Sequence, residues 1–472
     1  MHARSMHASN VTSASSRNES TAESAQRLIV WLRLWSLAFA VQLMATSYRL
    51  WLPPNWSNFP QVPALSFLVD AGSWCDYLGL ATLSAGLLWV IVGELRRCSK
   101  FRSRDVENTT SRWPWMVIVA SGLWLVCLSQ HRLQAWFFQL LLYCLVSMLS
   151  DHRRQVVWLQ RIIVSIYVYS ALGKLDFEFV HTVGQDFLEA TASLLRFDLS
   201  GWNETDRIVA AFLLPTFEIL LAGGLVWRKS RRIAGVCTCC FHLALAALVW
   251  GPLNHSWGVF LWNLQFAGQA ILLFVLPDQL QRLFSLEFFN QQRSPSTSGS
   301  QLGNESYVSF PVRPGLTLWR DRFVQALLLA SIVMPLGERW AVWDHWPSWA
   351  LYAPHSSRVR VTVATYAIDQ LPEQLRDLLP SRDDDSQVGV DVPLAKWSLK
   401  ELGVPIYPQA RFQLGVARYL SSRLSSPIAI QAEIRESADR FTGKRSVRKL
   451  RGSDEIQQAG RFFTLGSSPR RD

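Results

Sequence analysis

Three ionisable side chains lie inside or at the edge of apolar stretches of this sequence, where such groups are costly unless they are partnered or used. Lys174 sits in YVYSALGKLDFEFVHTVGQDFLEA, Glu218 in RIVAAFLLPTFEILLAGGLVW, and His242 in AGVCTCCFHLALAALVW. A lysine packed under the amphipathic segment 177–195 would be partly desolvated, which favours the neutral amine, a usable general base. At the outer end of a helix the same lysine would also serve as a snorkelling anchor, and Asp176 beside it would hold it charged. Glu218 precedes Trp227 by nine residues and His242 follows Ile233 by nine, so at 1.5 Å per residue both sit roughly 13 Å from the same membrane face. The expectation is a neighbouring Glu218–His242 pair, either handling protons or joining two helices. Asn263, Gln265 and Gln269 could complete an internal cavity, His255 belongs to an outer loop, and Arg161 should snorkel.

The elements that position these groups follow from composition. Of 472 residues only 18 % are charged, against roughly 25 % in soluble domains, while 22 Trp and 25 Phe are present. That excludes a disordered chain, and the net charge of +11 needs a membrane explanation before a nucleic-acid one. Residues 1–337 are about 14 % charged and residues 338–472 about 27 %, dividing the chain into a membrane-like part and a soluble-like part. All seven Cys fall in the first part. Cys237, Cys239 and Cys240 read as small packing residues in an apolar run, and no metal site is expected from them.

Apolar runs long enough for a bilayer predict nine transmembrane helices, at 28–47, 76–93, 114–130, 134–150, 156–173, 207–227, 233–250, 257–276 and 322–337. Lys and Arg concentrate in alternate loops: Arg96, Arg97, Lys100, Arg102, Arg104 and Arg112, then Arg153 and Arg154, then Arg228, Lys229, Arg231 and Arg232. Basic loops stay cytoplasmic, so the N-terminus is assigned to the cytoplasm of an inner-membrane protein and, with an odd number of spans, the C-terminal part to the far side. Trp51, Trp113, Trp115, Trp227, Trp250, Trp257 and Trp340 are expected at the membrane interfaces.

The predicted organisation is a polar, disordered cytoplasmic tail (1–27), a core of eight helices (28–277), a polar linker (278–319), a ninth helix (320–337) and a small extracytoplasmic α+β domain (338–472). Within the last, RVRVTVATY (358–366) and PIAIQAEIRE (427–436) alternate as half-buried strands, VGVDV (388–392) is a third strand, and Ala410 to Leu424 a helix. Asp383–Asp384–Asp385 reads as a solvated loop without the spacing of a calcium loop.

The run Ala171-Leu172-Gly173-Lys174-Leu175-Asp176, with Gly184 behind it, resembles the lysine segment of the vitamin K-dependent γ-carboxylase-like, or HTTM, membrane family. Glu218, the basic loop and Phe241-His242 are similar to that family's next helices. The resemblance spans roughly residues 25–340 and implies that Lys174 is the base that deprotonates a lipophilic quinol at the outer side of the membrane. The carboxylase has two adjacent lysines where this chain has Gly173-Lys174, and nothing in the C-terminal part matches its propeptide- or glutamate-binding regions. The expected function is therefore carboxylase-like or quinol-linked membrane chemistry on another substrate, with Lys174, Glu218 and His242 as site residues, and protein γ-carboxylation itself is not expected. The alternative is a non-catalytic membrane scaffold whose outer domain binds an envelope partner.

Overall fold

In the computed structural model, residues 25–100, 111–277, 314–340, 342–379 and 389–471 are described. The tail up to residue 24, the linker up to residue 313 and Asp383–Asp385 lie outside them. Each of the nine apolar stretches read from the sequence is helical: α1 (Ala25–Thr46), α2 (Trp74–Lys100), α3 (Trp113–Leu128), α4 (Ala135–Ser147), α5 (His152–Lys174), then α6 (Phe177–His181) and α7 (Val183–Leu195), α8 (Glu204–Val226), α9 (Arg231–Trp250), α10 (Trp257–Ala270, continued by a π turn over Ile271–Val275) and α11 (Pro314–Val333). The amphipathic segment 177–195 is the α6–α7 pair, so it adds no crossing. Among the described residues, six helices, α1, α2, α5, α8, α9 and α10, are long and apolar enough to cross a membrane. The apolar helices α3 and α4 have 16 and 13 residues, and α11 carries Arg320, Asp321 and Arg322 in its first half. These helices suit a lipid bilayer as their surroundings.

Local chemistry sets the helix starts. Asp151, Asp176 and Asn203 cap α5, α6 and α8 by accepting from the backbone N–H of Arg153, Glu178 and Asp206 at 2.9, 2.9 and 3.0 Å. Inside α10 the π turn displaces a carbonyl from the regular ladder, and Gln160 of α5 donates to Leu273 O at 2.8 Å. One buried charge in the helical core is neutralised across helices: Arg33 of α1 donates to Glu94 of α2 at 2.9 Å and to Ser147 and Gln155 at 3.1 and 3.0 Å. The exposed Arg161 lies over the Trp158 ring, 5.0 Å from its centroid.

The C-terminal part is α+β, as expected. Its four strands, β1 (Arg358–Ala364), β2 (Gly389–Asp391), β3 (Ile430–Arg435) and β4 (Val447–Arg451), form an antiparallel sheet in the order β2-β1-β3-β4. Val359, Val361 and Val363 face inward with Ile430, Ala432 and Ile434, the pattern the alternation predicts. Ile428 departs from it: the chain turns through a 3₁₀ stretch at Pro427–Ala429 and leaves that side chain exposed. α13 (Ala410–Arg423) and α14 (Gly452–Gln458) pack on the sheet, and α12 (Leu394–Leu402) follows β2 and packs towards the turn after α1. β4, α12 and α14 were not read from the sequence.

The C-terminal part packs closely on the helices. Its buried residues join those of the helices in one continuous cluster running from Leu28 to Ala459. The join is made on the chain turns after α1, α3, α5 and α9. Gln130 donates to Gly466 O at 2.6 Å, His131 Nε2 bonds Pro405 O at 2.9 Å, Arg440 donates to Leu172 O and Leu175 O, and His255 packs edge-on against Tyr352. Trp51 and Trp115 therefore do not mark interfaces. Trp51 is buried against Trp136 and Phe137, and Trp115 is buried beneath Arg33, whereas Trp113, Trp227, Trp250, Trp257 and Trp340 are exposed at helix ends.

Burial at this junction has a pH consequence. The His131 ring sits between Phe59 and Phe412, and burial pushes its pKa down from 6.5 to about 4. Between those values the unfolded chain binds the proton that the folded protein refuses. Stability is thus complete above about pH 6.5 and falls as the pH drops towards 4, by up to about 3 kcal/mol. Thermal unfolding in detergent across this range should show the wild-type midpoint falling with acid, and His131→Gln should flatten that part of the slope.

Candidate functional site

Helices α4, α5, α7, α8, α9 and α10 and a covering segment line a largely apolar, partly open cavity of about 300 Å³, at the lower end of the usual ligand-site range of roughly 300–1,000 Å³. Its wall takes Tyr167, Ser170 and Lys174 from α5, Glu218 from α8, His242 from α9 and Asn263 from α10. Residues 345–353 and 403–408 of the C-terminal part close it. Lys174, Glu218 and His242 are therefore brought to one cavity, together with Asn263 and His255.

Tyr167, Ser170 and Lys174 stand at i, i+3 and i+7 and share one face of α5. Lys174 folds back along its helix. Its ammonium donates to Ser170 Oγ at 2.5 Å and to both Glu218 carboxylate oxygens at 2.9 and 2.8 Å. These contacts, with Ser170 O at 3.3 Å, use all three ammonium protons. Both side chains are almost fully buried. Three residues before Glu218 in α8, Pro215 supplies no N–H to the helix ladder, so the turn carrying Glu218 is locally less constrained.

The expected Glu218–His242 pair does not form. Equal depth on two helices does not fix which way each side chain points, and Glu218 is taken by Lys174. His242 has its own partners: Nδ1 lies 2.9 Å from Asn263 Oδ1 and Nε2 lies 2.5 Å from the Tyr167 hydroxyl, while the ring stacks on Phe266. Asn263 Nδ2 donates to Val259 O at 2.9 Å, which orients its amide with Oδ1 towards the ring. A neutral His242 in this arrangement carries its proton on Nδ1 and accepts from the Tyr167 hydroxyl. Asp176 is not the counter-charge of Lys174 either. It caps α6 and pairs with Arg339 at 2.9 Å. Gln265 and Gln269 lie outside the cavity; Gln269 accepts from Gln139 and Tyr143 at 3.1 and 3.2 Å.

Sequence reading missed the cover. Trp349 and Tyr352 both adopt φ of +58°, a backbone region that bulky residues rarely enter and that persists only where the surroundings hold it. Arg445 supplies part of that hold by donating to Pro354 O and Ser356 O at 2.7 and 2.8 Å and to Glu178 of α6. Gly173 makes room for the cover, since a Cβ there would stand 3.2 Å from that of Ala353. At the other edge Gly403, with φ of +71°, lets the chain pass Thr46 O at a distance where a Cβ would sit at 2.8 Å. The Tyr352 hydroxyl is buried in the cavity wall with no hydrogen-bond partner among the described residues, and burial first, then the Glu218 charge, pushes its pKa up. The sequence signal for this cover was a Trp-rich stretch between the last apolar helix and the first strand.

The arrangement offers an apolar chamber at a helix-bundle end, an ion pair in its wall, a His–Tyr–Asn relay and an unsatisfied phenol. Compared with protein-family models, with curated proteins and with solved structures, the chain matches none.

Proposed function

We propose that this membrane protein binds a lipophilic, oxygen-bearing ligand of the quinol type between α5, α8, α9 and α10 and that Lys174 serves as the base towards it. The observation that carries this reading is the buried Lys174–Glu218 pair in the wall of a partly open apolar cavity that is also lined by Tyr352, whose hydroxyl has no partner among the described residues. Proton transfer from Lys174 Nζ to Glu218 leaves a neutral amine; the amine then takes the proton of a ligand hydroxyl, giving the oxyanion and restoring the ammonium. Tyr352 is the donor to a ligand oxygen, and His242 with Tyr167 lines the path beside it.

The reading includes membership of the HTTM-like group, nine crossings and an extracytoplasmic C-terminal part. Two features support the ninth crossing. Ser150, at the Arg-rich end of the bundle, bonds Asp321 of α11, and Tyr169 near the other end of α5 donates to Ile332 O at 2.6 Å. The helix thus advances eleven residues, about 17 Å, between the two levels. The orientation is supported by the position of the C-terminal part, which rests on the turns poor in Lys and Arg, opposite the basic loops. Gly173 speaks against γ-carboxylation of proteins, because a second lysine there would strike the cover at Ala350 and Ala353. Purified protein assayed for binding of a short-chain naphthoquinone should bind it, and Lys174→Ala should lower affinity or turnover at least tenfold, the order of effect of losing one charged contact. Equal behaviour of the two proteins removes Lys174 from the site and leaves the scaffold reading.

A further inference from the structure

Beside the cavity, outside the apolar helices, three side chains with metal-ligating atoms converge. Glu338 lies in the 3₁₀ stretch Met334–Trp340, His345 in the cover, and His355 ahead of β1. Their donor atoms all lie within 4.8 Å of one another. His345 Nδ1 stands 2.8 Å from Glu338 Oε1, and His355 Nε2 stands 3.0 Å from each oxygen of the same carboxylate. Both imidazoles are buried and the carboxylate nearly so. Two ring nitrogens converge on one carboxylate, whose other oxygen also lies 4.0 Å from Arg339 Nε, so all three donor groups point to a common centre. Tetrahedral zinc, with ligands at about 2.1 Å, needs donors about 3.4 Å apart, so an outward shift of a few tenths of an ångström would admit the ion.

We propose that Glu338, His345 and His355 form a binding site for a first-row transition dication, zinc in the first place. Two imidazoles and one carboxylate are a borderline donor set that suits zinc or ferrous iron and disfavours magnesium and calcium, which want oxygen. Three protein ligands leave a coordination position for water or a ligand oxygen. His345 also lines the cavity, so the ion would stand at its rim, next to the covering segment whose strained residues Trp349 and Tyr352 follow in the chain. A bound dication would tie the end of α11, the cover and the start of the sheet together.

The test uses the full-length protein in detergent, purified without a polyhistidine tag, stripped with a chelator and titrated with zinc(II) or cobalt(II). The expected result is one tightly held zinc per chain by elemental analysis and a cobalt(II) ligand-field spectrum of the intense, low-coordinate kind. His345→Ala and His355→Ala should lose the metal, and Glu338→Gln, which preserves shape, should weaken binding by at least about tenfold. Wild-type protein that holds no metal above background, a cobalt spectrum like that of the aqueous ion, or undiminished binding by Glu338→Gln would each overturn the proposal. The cobalt spectrum of the wild type decides the matter even if a histidine variant fails to fold. Quinone binding is read separately, so failure of either site leaves the other intact.

Discussion

Lys174→Met is expected to destabilise the folded protein by about 3–5 kcal/mol, the usual cost of removing one partner of a buried ion pair. The variant leaves the Glu218 carboxylate in an apolar wall with neither of its two hydrogen bonds at 2.8 and 2.9 Å. Glu218→Leu should cost a similar amount by stranding the ammonium. The double variant Lys174→Met/Glu218→Leu should recover most of the loss, because an apolar pair of similar volume is often no less stable than a buried ion pair. Unfolding in mixed micelles measures all four proteins, and non-additivity of the two single changes is the expected signature. Naphthoquinone binding should stay lost in the double variant. Recovery of both stability and binding would reduce the pair to a structural contact.

Asp76→Ala should be at least as damaging. Asp76 opens α2 with both oxygens in fully buried ion pairs, to Arg132 at 2.7 Å and to Arg470 at 2.6 Å. The two guanidiniums also satisfy the chain turns around them: Arg132 donates to Leu50 O and Leu52 O at 3.0 Å each, and Arg470 to Gln61 Oε1 at 2.8 Å and Ala71 O at 2.5 Å. Removing the carboxylate leaves two like charges buried beside each other, a loss above the roughly 3–5 kcal/mol of one broken pair. Arg470→Ala keeps the Asp76–Arg132 pair and should cost less, while releasing the last residues of the chain to protease. The predicted order of unfolding midpoints is wild type, then Arg470→Ala, then Asp76→Ala. A midpoint for Asp76→Ala within a degree or two of wild type would mean that the triad carries little of the junction.

What the sequence made legible is what short-range pattern encodes. Apolar runs located the six helices long and apolar enough to cross a membrane, because a helix of about 20 residues in lipid must be apolar along its length. Alternation located β1 and β3, because one face of each is buried and the other is wet. Depth along a helix was also readable, which put Glu218 and His242 at a common level. Rotation about the helix axis was not, and it decides partners: Glu218 turns to Lys174 and His242 to Tyr167 and Asn263. The spacing of Tyr167, Ser170 and Lys174 could have shown one polar face on α5. The charged segment from residue 338 read as a small α+β domain, and its apolar side chains continue the helical core, which its composition did not show. Such contacts join residues hundreds of positions apart, as Arg470 and Asp76 do, and no local pattern announces them. For the same reason Trp51 and Trp115, placed by sequence at interfaces, proved to be core.

The most direct test of the central claim, a ligand chamber walled by Lys174 and Glu218 and closed by residues 345–353, is photo-cross-linking. A naphthoquinone bearing a photoreactive group is bound to the purified protein, irradiated, and the modified peptides are mapped. The predicted labels fall on the α5 segment around Tyr167 to Lys174, on α10 around Val259 to Phe266 and on the cover around Tyr352, and excess unlabelled quinone suppresses them. Labels confined to the exposed faces of α8 and α9, unaffected by competitor, would contradict it.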